Sequence, residues 1–151
     1  MKSKKVYFVQ FVAVLALALL AGCAPVKKGE DSAVIKEKSV QRWDLLIAHQ
    51  PDKAYDLLSP GYRQTKDRES YIKEMAARPV RWSKVHYTSQ ECEADVCKVH
   101  LTVDYSLNMG GPAGQVKSSS FLVETWVKSD GRWWYLPSQL GPSKLGKDKE
   151  S

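Results

Sequence analysis

Between residues 97 and 107 the chain alternates without interruption: Cys97, Val99, Leu101, Val103, Tyr105 and Leu107 are separated by Lys98, His100, Thr102, Asp104 and Ser106. A period of two puts all six apolar side chains on one face of a half-buried strand, so the neighbouring segments must cover that face. Pairing it with residues 117–128 so that Val103 faces Val123 also sets Tyr105 against Phe121 and Val99 against Val127. Asp130-Gly131 signals a two-residue hairpin turn, which continues the row by setting Val127 opposite Trp134 and Thr125 opposite Leu136. In this register the inward row runs through Cys97, Val99, Leu101, Val103, Tyr105, Phe121, Val123, Thr125, Val127, Trp134 and Leu136. It holds no carboxylate and no imidazole; Asp104, Glu124 and His100 fall on the other face. Upstream, counting back from Cys92 opposite Cys97 puts Val85 and Tyr87 on the polar face, and a bulge between Thr88 and Glu91 is expected to restore them.

The segment before residue 79 has a helical period instead. Over residues 33–50, Ile35, Trp43, Leu46 and Ile47, with Val40 beside them, share one side of a helix that Pro51 ends. A second short helix is expected over residues 52–58, closed by a turn at Pro60-Gly61, and a third over residues 67–77, capped by Asp67. The expected fold class is therefore α+β, with three N-terminal helices packed on a curved antiparallel sheet. Met109-Gly110-Gly111 and the residues up to Ser118 read as a flexible hairpin connection. Their glycines do not directly precede Lys117, and a strand follows, so a phosphate loop is excluded.

The chain's 23 basic and 17 acidic side chains give a formal charge of +6. That charge does not describe the folded part. Lys2, Lys4 and Lys5 precede an apolar run, and without residues 1–22 the balance falls to 20 against 17. A nucleic-acid surface is not expected on so small an excess. The lysine-rich start, apolar run and small residues have the order of an export signal, and the run is short for a membrane span. Leu20-Ala21-Gly22-Cys23 resembles the lipobox of bacterial lipoproteins. That resemblance implies cleavage after Gly22, acylation of Cys23 and anchoring in a bacterial cell envelope, with Ala24 favouring an outer membrane facing the periplasm. Residues 24–32 read as a linker with a reach of roughly 30 Å, residues 33–139 as the domain and residues 140–151 as a disordered tail. Lipidation of Cys23 leaves Cys92 and Cys97, which a four-residue hairpin loop would set opposite each other as a disulfide. A metal site using His86 and His100 is the alternative. His100, three residues from Cys97, would point to the opposite strand face, and no metal or cofactor is expected.

Two stretches, "RWDLLIAHQPDKAYDLLSPGYR" and "ETWVKSDGRWWYLP", resemble the nuclear-transport-factor-2-like family. The resemblance implies a cone in which helices cover one face of a curved sheet, a fold that hosts dehydratases, isomerases, epoxide hydrolases and binding proteins alike. Trp43, Tyr55, Tyr71, Tyr105 and Trp134 are the expected lining of a pocket for a small apolar ligand. His100, Trp126, Trp133 and Tyr135 are the expected contact surface on the outer sheet face, for a second copy or an envelope protein. The reading is a lipid-anchored, non-catalytic binding or accessory module acting through protein contact, with ligand binding second and a dehydratase or isomerase activity third. Cys23→Ser is expected to yield an unacylated, unprocessed precursor that no longer partitions with lipoproteins; intact-mass analysis showing normal acyl mass in that variant would contradict the anchor.

Overall fold

The computed structural model describes residues 28–138; the expected signal segment, Cys23, the first residues of the expected linker and the expected C-terminal tail lie outside the described residues. The helices are α1 (Lys28–Ile47), α2 (Pro51–Tyr55), α3 (Pro60–Thr65) and α4 (Arg68–Ala76). They precede β1 (Val80–Glu93), β2 (Val96–Gly110), a 3-10 turn (Gly111–Ala113), β3 (Gly114–Ser129) and β4 (Arg132–Leu136). The strands form one antiparallel sheet in chain order.

The expectation of three helices packed on the sheet is corrected. Among the described residues only α1, at 20 residues, is long; the others have 5, 6 and 9 residues. α1 lies along β1 and reaches β2 and β4, while α2 packs on α1 and α4. Prolines set these lengths: Pro51 and Pro60 each open a new helix where their fixed φ suits the first turn. Ser59 accepts a hydrogen bond from the Tyr62 amide and caps α3, so the expected turn at Pro60-Gly61 is a short helix. Asp67 caps α4 by accepting from the Ser70 amide at 2.9 Å.

The linker boundary is corrected as well, because α1 starts at Lys28 rather than after residue 32. Its first turns are docked on the sheet. Asp31 accepts from Lys128 Nζ at 2.8 Å and from Trp133 Nε1 at 3.0 Å, and Gln90 Nε2 donates to Ser32 Oγ at 2.8 Å. The Lys128 hydrogen bond, then that from Trp133, holds the Asp31 carboxyl below its ordinary range. What this clasp adds to stability is present at neutral pH and lost as pH falls through the depressed folded pKa.

Two hairpins fix the sheet. In the β3–β4 turn Asp130 and Gly131 both have positive φ, and Val127 faces Trp134 as the two-residue turn requires. In the β1–β2 hairpin Cys92 faces Cys97 and the two are bonded, with 4.1 Å between their Cα atoms. The register shift beyond it falls at Thr88, between Tyr87 and Ser89, and it returns Val85 and Tyr87 to the face of Val103 and Leu101.

The β2–β3 register differs from the expected one by three residues. Val103 faces Ser120, not Val123; Val99 faces Glu124 and Cys97 faces Trp126. The strands run up to a tight hairpin tip where Gly110, Gly111 and Gly114 all take positive φ, so the stretch from Met109 is a hairpin connection as expected. An odd slip turns every β3 side chain to the opposite face, and β4 follows through its own hairpin. Trp126 (0% exposed) and Trp133 (3%) are therefore core, while Phe121 (61%) and Val123 (50%) are on the solvent side. Trp126→Ala is expected to cost about 3–5 kcal/mol and Phe121→Ser less than about 1 kcal/mol, measured by urea unfolding; the reverse order would contradict this register.

Candidate functional site

The β3 flip carries a carboxylate into the core. Glu124 is 3% exposed, and facing it from α1 is Arg42, 4% exposed, on the helix side that also buries Ile35, Ser39, Trp43 and Leu46. Arg42 Nη2 and Trp43 Nε1 donate to Glu124 Oε1, the latter at 2.7 Å, and Trp126 Nε1 donates to Oε2 at 3.0 Å. Three donors on two oxygens leave Glu124 a fixed acceptor that orients Arg42, in place of a free general base. Burial works to lower the Arg42 pKa, but the Glu124 charge and its hydrogen bond, together with Tyr135 and Tyr71, outweigh it and keep the guanidinium firmly protonated.

The pair forms one wall of a cavity of about 390 Å³ between α1, α4 and the sheet. Trp43, Leu46, Met75, Trp82 and Leu122 supply apolar lining, Tyr62, Tyr71 and Tyr135 supply phenols, and Arg78 and Glu74 stand with them. Tyr135 is held by backbone bonds to the segment between α2 and α3: its amide donates to the Leu57 carbonyl, and the Ser59 amide donates to its carbonyl, both at 2.8 Å. The short helices thus place a strand residue in the cavity wall. The Arg42 guanidinium lies 4.1 Å from the Tyr135 ring centroid and 4.7 Å from that of Trp43, and Arg78 lies 5.9 Å from that of Trp82. Burial raises the pKa of Tyr71 and Tyr135, which keeps both as hydroxyl donors. Arg42 Nε, though buried, has no hydrogen-bond partner.

The expected pocket residues divide. Trp43 and Tyr71 line the cavity. Tyr55 is buried beside it, its ring 5.7 Å from that of Tyr71 and its hydroxyl donating to the Lys66 carbonyl at 2.8 Å. Tyr105 is half-buried opposite Trp82 and outside the lining. Trp134 is on the outer face, where its Nε1 donates to the Ser129 carbonyl at 3.2 Å and Arg63 stacks 5.3 Å from its ring.

The expected contact surface is corrected at three of its four positions. Trp126 and Trp133 are core, and Tyr135 lines the cavity; His100 alone is on the outer face, its ring 5.7 Å from that of Phe121. Arg42 and Glu124 were not among the expected site residues. Their signal was Arg42 itself, spaced with Ile35, Ser39 and Leu46 along the apolar side of α1.

A larger groove of about 620 Å³ runs over α1 past Ala33, Val40, Asp44 and Ala48, but it is open and no buried polar group converges on it. Among the described residues no cluster of three or more His, Cys, Asp and Glu side chains is placed to hold a metal, and no helix is long and apolar enough to cross a membrane.

No protein-family model and no curated protein matches the chain significantly. Solved structures do resemble it. A SEC-C motif containing protein from Psychrobacter arcticus aligns with TM-score 0.54 and 13% identity over 83% of this chain and 79% of that one. One from Rhodopseudomonas palustris aligns with TM-score 0.52 and 15% identity over 66% of this chain and 73% of that one. At these identities the similarity is one of fold. A putative NTF2-like transpeptidase from Campylobacter jejuni superposes more loosely, at TM-score 0.41 and 12% identity over 68% of this chain and 96% of that one.

Trp43→Phe keeps a ring in the wall but removes one donor from a buried carboxylate, and is expected to cost about 1.5–3 kcal/mol. Trp134→Phe, on the outer face, is expected to cost less than about 1 kcal/mol. Equal losses in denaturant titrations would contradict a carboxylate held inside the sheet.

Proposed function

We propose that the chain is a lipid-anchored envelope protein whose nuclear-transport-factor-2-like domain binds a small ligand in the cavity beside Arg42 and Glu124. The observation that carries the binding reading is a cavity of about 390 Å³ whose wall sets the buried Arg42–Glu124 pair and three tyrosines beside an apolar lining. The anchor reading rests on Leu20-Ala21-Gly22-Cys23 and, with Ala24, favours the periplasmic side of an outer membrane. α1 starts five residues after Cys23, so the domain is tethered within roughly 15–20 Å of the bilayer surface. Binding without catalysis fits a carboxylate already engaged by three donors. Native mass spectrometry of detergent-extracted protein is expected to show an acylated chain with a retained small molecule, and Met75→Trp, which narrows the cavity, to lose that molecule and keep the acyl mass. Equal retention by the variant would contradict the location.

A second reading, self-association, is favoured by the outer sheet face. Phe121, Val123 and Leu136 (37% exposed) lie there with Trp134 and His100, so β3 and β4 are apolar on both faces. Phe121→Ser with Val123→Thr is expected to convert a dimeric soluble domain to monomer in sedimentation velocity at unchanged circular dichroism. A monomeric parent domain would contradict this reading and leave ligand binding intact.

A further inference from the structure

The chemical class of the ligand follows from the charge left over at the rim of the cavity. Inside the domain Arg42 is matched by Glu124. Glu74, in contrast, serves two cations: its Oε1 accepts from Arg78 Nη2 at 3.1 Å and its Oε2 from Lys66 Nζ. Arg42, Lys66 and Arg78 therefore stand against only Glu124 and Glu74, an excess of one positive charge among the ion pairs of the described residues.

Arg78 is where a ligand can meet that excess. Its side chain is 45% exposed, whereas that of Arg42 is buried. One of its N–H groups goes to Glu74, and its guanidinium stands 5.9 Å from the Trp82 ring centroid. An arginine carries five N–H donors, so most of the fork is left for water or a ligand. Arg78 and Trp82 also line a second hollow of about 450 Å³, which shares Leu46 and Met75 with the first and adds His49 and Arg81 but no carboxylate among the described residues. The two hollows thus meet at a half-exposed cation set beside apolar walls.

The classes separate on this arrangement. An ammonium would add a like charge to a group already in positive excess, and Arg42 already stands over the rings of Trp43 and Tyr135 and Arg78 over that of Trp82. A neutral molecule gains the apolar contacts and nothing from the excess charge. A dianion brings one charge more than the group can match. We infer that the cavity takes a monoanionic organic acid, a single carboxylate on an apolar body, with the carboxylate on the Arg78 guanidinium and the body against Trp82, Met75 and Leu46. Pairing at a half-exposed arginine spares the carboxylate full desolvation, and the planar fork suits its two oxygens. This inference rests on the reading of the cavity as a binding site.

Four probes with one ring system test it: 2-naphthoate, its neutral counterpart naphthalene-2-carboxamide, 2-naphthylmethylammonium and the dianion 2-naphthyl phosphate. Calorimetric titration of the soluble domain is expected to show 2-naphthoate binding at least about tenfold more tightly than the other three, the scale of a hydrogen bond to a charged group. Arg78→Gln should reduce its affinity to that of the carboxamide. Arg63→Gln, which removes the same charge beside Trp134 on the outer face, should leave it unchanged. Should Arg78→Gln fail to fold, the Arg78 Nε–H resonance of the wild-type domain decides in 15N-edited NMR, since 2-naphthoate and not the carboxamide should shift it. Equal or tighter binding of the carboxamide, the ammonium or the phosphate, lost in Met75→Trp, would overturn the monoanion class while leaving the cavity as a binding site. Tightest binding of 2-naphthoate with no response to Arg78→Gln, or equal losses in the Arg78 and Arg63 variants, would overturn the assigned contact. Binding untouched by Met75→Trp, or no binding by any probe, would remove the cavity reading and this inference with it.

Discussion

A carboxylate and a guanidinium removed from water need each other and every remaining hydrogen bond they can find, and the Arg42–Glu124 pair organises this domain around that requirement. Arg42 comes from the later turns of the one long helix among the described residues and Glu124 from the inner face of a central strand. The indoles of Trp43 and Trp126 close on the same carboxylate, joining helix and sheet at one point. Removing either charge would leave the other buried and uncompensated, a far larger loss than the pair's own net contribution. The pair is thus weak evidence for stability and strong evidence for register. Slipping β3 by one residue would move Glu124 to solvent and strand Arg42 among aromatic rings.

The same constraint explains the unusual make-up of β3 and β4. With Trp126, Trp133 and Tyr135 committed inward, Phe121, Val123, Trp134 and Leu136 are left facing out. A sheet covered on one side by a single long helix and exposing apolar residues on the other has two surfaces of different use. The inner one encloses a cavity with a polar end, and the outer one suits a flat partner. The clasp of Asp31 with Lys128 and Trp133 fixes the start of α1 at the end of the sheet that holds the β1–β2 and β3–β4 turns. The cavity residues Arg42, Trp43 and Leu46 lie in the later turns of that helix. An anchor at Cys23 would then hold the domain by the end away from its cavity.

Much of this was legible in the chain. Asp130-Gly131 set the last hairpin, Cys92 and Cys97 marked the first, Asp67 marked the start of α4, and Val85 and Tyr87 showed that a bulge was needed near Thr88. The β2–β3 register was not legible, for a physical reason. Residues 121–127 read Phe-Leu-Val-Glu-Thr-Trp-Val, with apolar residues at both parities, and the register that set Val123 and Val127 against Val103 and Val99 gave a more continuous apolar row than the observed one, which sets Ser120 and Glu124 there. The glycine-rich tip decided between them, and its conformation depends on backbone angles that composition does not specify. The expected register put Glu124 on the outer face and so hid it, and with it the partner that makes a buried Arg42 tolerable. Trp126, Trp133 and Tyr135 looked like an exposed aromatic patch for the same reason. The short helices were overestimated as sheet-packing elements because Pro51 and Pro60 were read as ends of helices when each also begins one.

The central claim is that Arg42 and Glu124 interact inside the domain. A double-mutant cycle with Arg42→Met, Glu124→Leu and the two combined, read from denaturant unfolding of the soluble domain, tests it most directly. The structure predicts a coupling of about 3 kcal/mol or more, with the double variant more stable than either single one. A coupling below about 0.5 kcal/mol, the range of residues that do not touch, would contradict the register, the buried pair and the cavity wall together.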